Sequence, residues 1–359
     1  MSKPTLKKCA SILFIRRDNI GDLVCTTPAI RMARLAYPEA KIAILVNSYN
    51  AEVIAGNPDV DEVFIYEKEK HRGRKGRINV LTSNAGLMRR IRTQKFDAAI
   101  GCASSYSPRL ARYTFLTGAR LRIGYGEKGK TRAGLYYNHP LPSPEKPLHE
   151  VESVMALLGP LGIKGPAPAL SVRSDAHTLK RVEKILDQGS KSGSGSGKSR
   201  GPLVAFHISS RRPENRWPVE NFIELINGLA EGSGITPLVL WSPGAADNPL
   251  HPGDDEIAQR LADGLDTEPL MLRTKTLGEL IAALSASEMV VCLDGGAMHL
   301  AAGLGKPILA IWGSTDPQRW APWHARHIIL KKPEAKASAV SVDEAAAAFT
   351  KLYAERALP

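Results

Sequence analysis

The stretch Met289–Gly313, MVVCLDGGAMHLAAGLGKPILAIWG, restricts the fold more than any other part of the chain. Two runs of five apolar residues, Met289–Leu293 and Ile308–Trp312, are bounded by glycine and proline. Parallel strands covered on both faces have this pattern. Between them lie a turn, Asp294-Gly295-Gly296, a short helix over about Ala297–Leu304, and a break at Gly305-Lys306-Pro307. Such a unit offers the free N–H groups and positive dipole end of a helix to an anion such as a diphosphate. The two glycines let the backbone approach a bulky group. Asp294 falls at the carboxyl end of a strand, where open α/β sheets hold their ligands. The same residues also suit a plain strand–helix–strand unit whose glycines serve packing, and taken alone they balance the two readings.

Strands and helices alternate along the rest of the chain, which predicts an α/β fold with parallel sheets. In the first half, strands are expected at Ser11–Ile15, Lys41–Val46, Glu62–Tyr66 and Asp97–Cys102, with a short closing strand at Arg122–Tyr125. Helices are expected from Asp22 to about Tyr37, around Asn50–Ala55, near Leu81–Thr93, over Pro108–Leu116 and over His149–Leu161. The alternation restarts with strands at Leu203–Ile208 and Thr236–Trp241 and helices at Val219–Ala230, Asp255–Ala262 and Thr276–Ser285. A chain of 359 residues accommodates two domains of ordinary size. The expected division is residues 1–165, residues 166–340 and a C-terminal helix over 341–359 that could pack back on the first domain. Ser341 is its candidate N-cap. The Gly/Ser-rich run 188–201 reads as a flexible loop. Ser192 to Ser199 nearly spells a phosphate-binding P-loop, but a helix precedes it and a strand follows, the reverse of what that motif needs.

No apolar run approaches the ~20 residues that span a bilayer. The segment Ile12–Ile15 is too short for a signal-peptide core, and the four cysteines are far apart. They read as reduced thiols of a cytoplasmic protein, without metal-ligand spacing. The net charge of +12 is unevenly spread: residues 68–132 hold 17 Lys and Arg against three acids. That excess suits either a solvated face or a phosphate-bearing partner: nucleic acid, an anionic membrane or a phosphorylated glycolipid. No nucleic-acid-binding signature accompanies it, so nucleic acid is not expected.

Two further stretches bear chemistry. Asp18-Asn19-Ile20-Gly21-Asp22 follows the first strand and opens a helix; Asp22 there can be an N-cap or a general base. His207 to Pro218, HISSRRPENRWP, leaves the end of a strand, so Ser209, Ser210, Arg211, Arg212 and Arg216 can meet phosphate oxygens or form an exposed basic loop. No Gly-x-Gly-x-x-Gly follows either opening strand, which argues against a dinucleotide dehydrogenase. Two Rossmann-like halves without that fingerprint suggest a GT-B fold, with two parallel sheets facing a central cleft.

Together these stretches resemble the family 9 glycosyltransferases, the lipopolysaccharide heptosyltransferases. The family's strand, Gly-Asp turn and Pro-containing helix match ILFIRRDNIGDLVCTTPAIRMARLAYP, and its hydroxyl pair before Trp-Pro matches SSRRPENRWP. Its Asp-Thr-Gly-x-x-His turn and later Gly-x-Thr match DGGAMH and Gly313-Ser314-Thr315, and Arg122-Ile123-Gly124-Tyr125 resembles a further family stretch. The resemblance implies a GT-B enzyme that moves a heptose from ADP-heptose with inversion, with no metal and no cofactor. It places the catalytic base on Asp22. The donor falls on Ser209, Ser210, Asp294, Gly295, Gly296, Ala297 and His299, with Arg212 or Arg216 in place of a family lysine where Asn215 stands. Gly295 replaces the usual threonine. An anionic glycolipid acceptor, a lipopolysaccharide core, would meet the basic half, with Arg120 and Arg122 as its contacts. The enzyme would then work in the cytoplasm, touching the inner face of the cytoplasmic membrane peripherally. Two alternatives share the scaffold: a transferase using another nucleotide sugar for a surface glycan, and a catalytically silent nucleotide- or lipid-binding protein.

Overall fold

The structure, a computed structural model, describes residues 9–67, 74–126, 133–193, 201–248, 253–266 and 269–355. The chain divides into two compact units: residues 1–170 with 318–320, and residues 171–317 with 321–359.

The first unit is a six-stranded parallel sheet of β1 (Ser11–Ile15), β2 (Lys41–Asn47), β3 (Glu62–Tyr66), β4 (Ala98–Gly101), β5 (Leu121–Tyr125) and β6 (His139–Leu141). Their spatial order is β3-β2-β1-β4-β5-β6. Helices α1 (Ile20–Val24), α2 (Thr27–Ala36), α3 (Arg74–Thr93), α4 (Pro108–Leu116), α5 (Ala133–Tyr136) and α6 (Glu150–Ala156) accompany it. Leu13, Ile15, Phe64, Tyr66, Ile91 and Phe96 belong to one buried cluster. The single helix expected from Asp22 to Tyr37 is two, α1 and α2, with Pro28 in the first turn of the second, where a missing N–H is harmless. The helix expected around Asn50–Ala55 is one 3-10 turn, Ala51–Ile54.

In the second unit α7 (Ala176–Gly193) precedes β7 (Leu203–His207), α8 (Val219–Ser233), β8 (Thr236–Trp241), α9 (Asp255–Gly264), β9 (Leu270–Arg273) and α10 (Leu277–Ala286). The opening stretch of the sequence follows as β10 (Met289–Leu293), α11 (Gly296–Gly303) and β11 (Ile308–Trp312); after α12 (Pro317–Trp320), whose last three residues belong to the first unit, come β12 (His327–Lys331) and α13 (Val342–Ala354). The sheet order is β12-β11-β10-β7-β8-β9, again all parallel. Helix α7 runs to Gly193, into the run expected to be loop, because extending a formed helix is far easier than starting one. Residues 194–200 lie outside the described ones.

The C-terminal helix packs within the second unit. Its Ala345, Phe349 and Leu352 are buried with Phe222, Leu225 and Ile311 in the second unit's core. Ser341 caps it: the Ser341 hydroxyl accepts from Glu344 N–H at 3.3 Å, and Glu344 Oε2 accepts from Ser341 N–H at 3.0 Å. Truncation of the fully buried Phe349 to Ala should therefore lower unfolding free energy by about 3–5 kcal/mol, read by urea denaturation. The same measurement on Leu35→Ser, at an exposed position, should move by less than about 0.5 kcal/mol.

Candidate functional site

The first unit builds a carboxylate site where β1 ends. Asn19 caps α1 and Asp22 occupies the third helical position, with Asp22 Oδ2 accepting from Asn19 N–H at 3.0 Å and from Asn19 Nδ2 at 3.2 Å. Asp22 is thus the reciprocal partner of the cap rather than the cap itself. Its other oxygen, Oδ1, accepts from Arg16 Nη2 at 2.5 Å. The loop between them is fixed from below: buried Asn47 donates to the Arg17 and Asp18 carbonyls at 3.1 and 2.9 Å, and buried Asn50 to those of Asp18 and Asn19 at 3.2 and 3.3 Å. Arg17 lies over the rings of Tyr66 and Tyr113, 4.8 and 4.0 Å from their centroids. These contacts hold the loop before any ligand arrives.

Arg16 is 1% exposed and its Nη2 also donates to Glu150 Oε1 at 2.7 Å; the Glu150 side chain is likewise 1% exposed. Glu150 Oε2 accepts from Arg319 Nη2 at 3.0 Å, within the same unit. Burial alone would push the Asp22 carboxyl up, but the Arg16 charge and the Asn19 hydrogen bonds outweigh it and hold it below its ordinary value. Asp22 is therefore ionised at neutral pH, as a proton acceptor must be. Burial would lower Arg16, yet Asp22 and Glu150 raise it further into the charged range.

In the second unit the ends of β7, β10 and β11 meet around Asn215. Its Nδ2 donates to Asp294 Oδ2 at 2.8 Å, and its Oδ1 accepts from Ser314 N–H at 2.9 Å. Thr315 Oγ1 also donates to Asp294 Oδ2. Gly313 is required by this packing, since a Cβ there would lie 2.3 Å from Asn215 Oδ1. Burial, only partly offset by Thr315 and Asn215, raises the Asp294 carboxyl. Gly295 is extended, at φ 166°, and a Cβ built on it meets nothing within 4 Å, so the opening beside Asp294 does not depend on glycine there. Gly296, Ala297 and His299 lie in the first turns of α11, with Ala297 and His299 buried.

Ser209 and Ser210 are buried at the end of β7, and the Ser209 hydroxyl accepts from Ser242 N–H at 2.8 Å. Arg212 is exposed and acts on Asp294 through its charge. Arg216 Nη1 donates to the buried Asp254 Oδ1 at 2.6 Å. Burial pushes His207, on the same strand end, down to about 4, against the opposing charge of Asp254.

Of the basic half, residues 68–73 and 127–132 lie outside the described ones. Arg120 is exposed and 3.7 Å from Asp97. Arg122 is taken up internally, donating to the Tyr136 and Ala119 carbonyls at 2.8 and 2.9 Å beside the Phe115 ring. Gly124, in the same stretch, is held to glycine by the Tyr137 ring, 2.3 Å from a built Cβ. Among the described residues, no group of three or more His, Cys, Asp or Glu side chains converges in a way that could hold a metal ion, and no helix is long and apolar enough to cross a membrane.

The two parallel six-stranded sheets with their helices have the GT-B fold of the solved heptosyltransferases. The model of glycosyltransferase family 9 (heptosyltransferase) matches residues 85–347, and the chain belongs to that family. It is 24% identical to lipopolysaccharide heptosyltransferase 3 of Escherichia coli over 308 residues, 84% of this chain and 83% of that protein. Among solved structures it resembles the family 9 glycosyl transferase of Veillonella parvula, with a TM-score of 0.81 and 21% identity over 97% of this chain and 98% of that one. It also resembles E. coli heptosyltransferase WaaC with ADP-2-deoxy-2-fluoro heptose, with a TM-score of 0.71 and 22% identity over 96% and 99%.

Arg16, Glu150, Arg319 and Asp254 belong to these sites without any sequence motif that marks them, whereas Thr315 falls in the Gly-x-Thr match. Arg16 stands six residues from Asp22. Glu150 and Arg319 are 134 and 303 positions from Arg16, and no local pattern connects them. His207 makes the second site sensitive to acid. Its affinity for a proton is lower in the folded chain than the ordinary 6.5, so the unfolded state binds more protons between about pH 6.5 and 4. Stability should fall as pH drops through that window, by about 3 kcal/mol in all. The difference in melting temperature between wild type and His207→Gln should be constant above pH 6.5 and change against the wild type between pH 6.5 and 4; parallel curves through that window would remove His207 as the cause.

Proposed function

We propose that this glycosyltransferase moves a heptose from ADP-heptose to a lipopolysaccharide core acceptor, with inversion and without a metal. The observation that carries the mechanism is the ionised Asp22, held through Arg16 and Asn19 at the carboxyl end of β1. Asp22 takes the proton of an acceptor hydroxyl as that oxygen attacks the anomeric carbon. The bond from that carbon to the diphosphate oxygen breaks, and ADP departs with the electron pair. Positive partial charge at the start of α11, together with Arg212 and Arg216, suits the charge that develops on the diphosphate. Ser209 and Ser210 present hydroxyls to phosphate oxygens. The Ser209 oxygen already accepts from Ser242 N–H, which leaves its own O–H to donate. Asn215 does not serve as a cation in place of lysine; tied to Asp294 and Ser314, it shapes the donor loop, and Arg216 or Arg212 supplies the charge. The donor assignment draws on the heptose nucleotide in the similar E. coli enzyme.

The test is Asp22→Asn. Asn keeps the helix-start geometry, and Glu150 still neutralises Arg16, so the variant should fold and bind ADP with little change. Turnover should fall on the order of 10²–10⁴-fold. Near-normal turnover would contradict the assignment.

The acceptor reading places an anionic glycolipid against the basic first unit, with Arg120 exposed for contact, in the cytoplasm at the inner membrane surface. Phe115 and Leu116 on α4 are 44% and 46% exposed, and Leu135 on α5 is 67% exposed. Arg109 and Arg112 are exposed on α4 beside them. Apolar side chains flanked by arginines suit the headgroup region of an anionic bilayer. In sedimentation assays the protein should bind vesicles containing phosphatidylglycerol and be released by salt, since such contacts are screened over ~8 Å at physiological ionic strength. Equal binding to neutral vesicles, or none to anionic ones, would contradict this surface.

A further inference from the structure

Arg16 is shared in an unusual way. One nitrogen, Nη2, donates to two carboxylates, Asp22 Oδ1 at 2.5 Å and Glu150 Oε1 at 2.7 Å. Its Nη1 and Nε have no hydrogen-bond partner, although Nε lies 3.5 Å from Asp18 Oδ2. A guanidinium fork facing a single carboxylate prefers two parallel bonds. The Arg16–Asp22 pair has the burial and the proximity for that arrangement, yet it is joined through one oxygen only. Asp22 Oδ2 is taken by Asn19, and Glu150 shares Nη2 with Oδ1, but Glu150 does not act alone. Its second oxygen is occupied by Arg319 Nη2, which also donates to Ser104 Oγ at 2.6 Å, while the Arg319 guanidinium lies 4.9 Å from the centre of the Trp320 ring.

We propose that Glu150, held by Arg319, is a positioning residue for glycosyl transfer: by sharing Arg16 Nη2 with Asp22 it fixes where that nitrogen stands and, through it, the orientation of the Asp22 carboxylate. The inference rests on Asp22 being the base. Without Glu150, Arg16 Nη2 serves Asp22 alone and shifts towards it, which turns the carboxylate from its place and stabilises its ionised form more strongly. Without Arg319, Glu150 turns both its oxygens to Arg16 and releases Asp22, which then loses its orientation and gains proton affinity. The charged and titratable groups facing Asp22 are Arg16 and Asp18 from the loop after β1, Glu150 from α6, and the Cys25 thiol, which burial keeps protonated.

The test is a kinetic cycle on the full-length protein with Glu150→Gln, Arg319→Gln, Arg319→Lys and the double Gln variant. Turnover, ADP affinity by calorimetry and melting temperature are measured for each. Glu150→Gln and Arg319→Gln should each lower turnover on the order of 10–10²-fold, as small misplacements of a reacting group do, with ADP affinity within about twofold of wild type. Arg319→Lys, which keeps the charge on Glu150, should recover most of the loss. Adding Arg319→Gln to Glu150→Gln should change nothing further, because Arg319 acts through Glu150. Arg319→Gln should also lose turnover on acidification at a higher pH than the wild type. Additive losses, failure of lysine to rescue, an unmoved pH profile, or turnover that follows melting temperature alone would overturn the proposal. If Asp22→Asn is inactive while Glu150→Gln works normally, only this proposal falls; if Asp22→Asn is active, the base falls and the proposal with it.

Discussion

The burial of Arg16 is the constraint on which the first unit's site depends. A guanidinium withdrawn from water is tolerated only if nearby carboxylates and hydrogen bonds replace its hydration, and removing one partner of such a set is far more damaging than the set is stabilising. Here the partners come from three places in the chain: Asp18 and Asp22 from the loop and helix after β1, and Glu150 from the start of α6. The arginine thus joins the beginning of the unit to α6. It also sets the state of Asp22, whose ionisation follows from the neighbouring charge despite the burial that opposes it.

The second unit treats its own strand-end carboxylate in the opposite way. Asp294 is also buried, but its hydrogen-bond partners are neutral, Asn215 and Thr315, and no cation is bonded to it, so burial prevails and its proton affinity rises. Two carboxylates, one in the first turn of the helix after β1 and one directly after β10, therefore shift in opposite directions because of their surroundings. The one beside a buried arginine suits proton abstraction. The one beside an amide and a hydroxyl suits holding a loop, and through Asn215 it fixes the Ser314 backbone against the segment that follows β7.

The sequence made the centre of each sheet legible and lost three of the four edges. Strands β1, β8, β10 and β11 are found at the expected residues because continuous apolar runs mark strands buried on both faces, and so is the edge strand β3, whose EVFIY is strongly β-forming. The strands it missed, β6, β9 and β12, are all edge strands, and their residues are half exposed or mixed in pattern: HPL, LMLR and HIILK. An edge strand needs only one neighbour and one buried face, so the signal for it is weak. The C-terminal helix was visible by composition and cap, but its docking partner was not, since Ala345, Phe349 and Leu352 would suit either unit. Within the sites, residues on strand-end loops were legible because their place in the alternation is fixed. Arg319 and Glu150 were not: their meaning lies in a contact across 169 positions.

Transfer of a heptose by direct displacement is read from the product. The purified protein is incubated with ADP-heptose and a heptose-free lipopolysaccharide core, the product followed by mass spectrometry and the new anomeric linkage by NMR. One heptose should be added, in equal amount to the ADP released, with anomeric configuration opposite to that of the donor. Retained configuration would contradict displacement by an activated hydroxyl, and release of ADP with no sugar on the acceptor would contradict transfer itself.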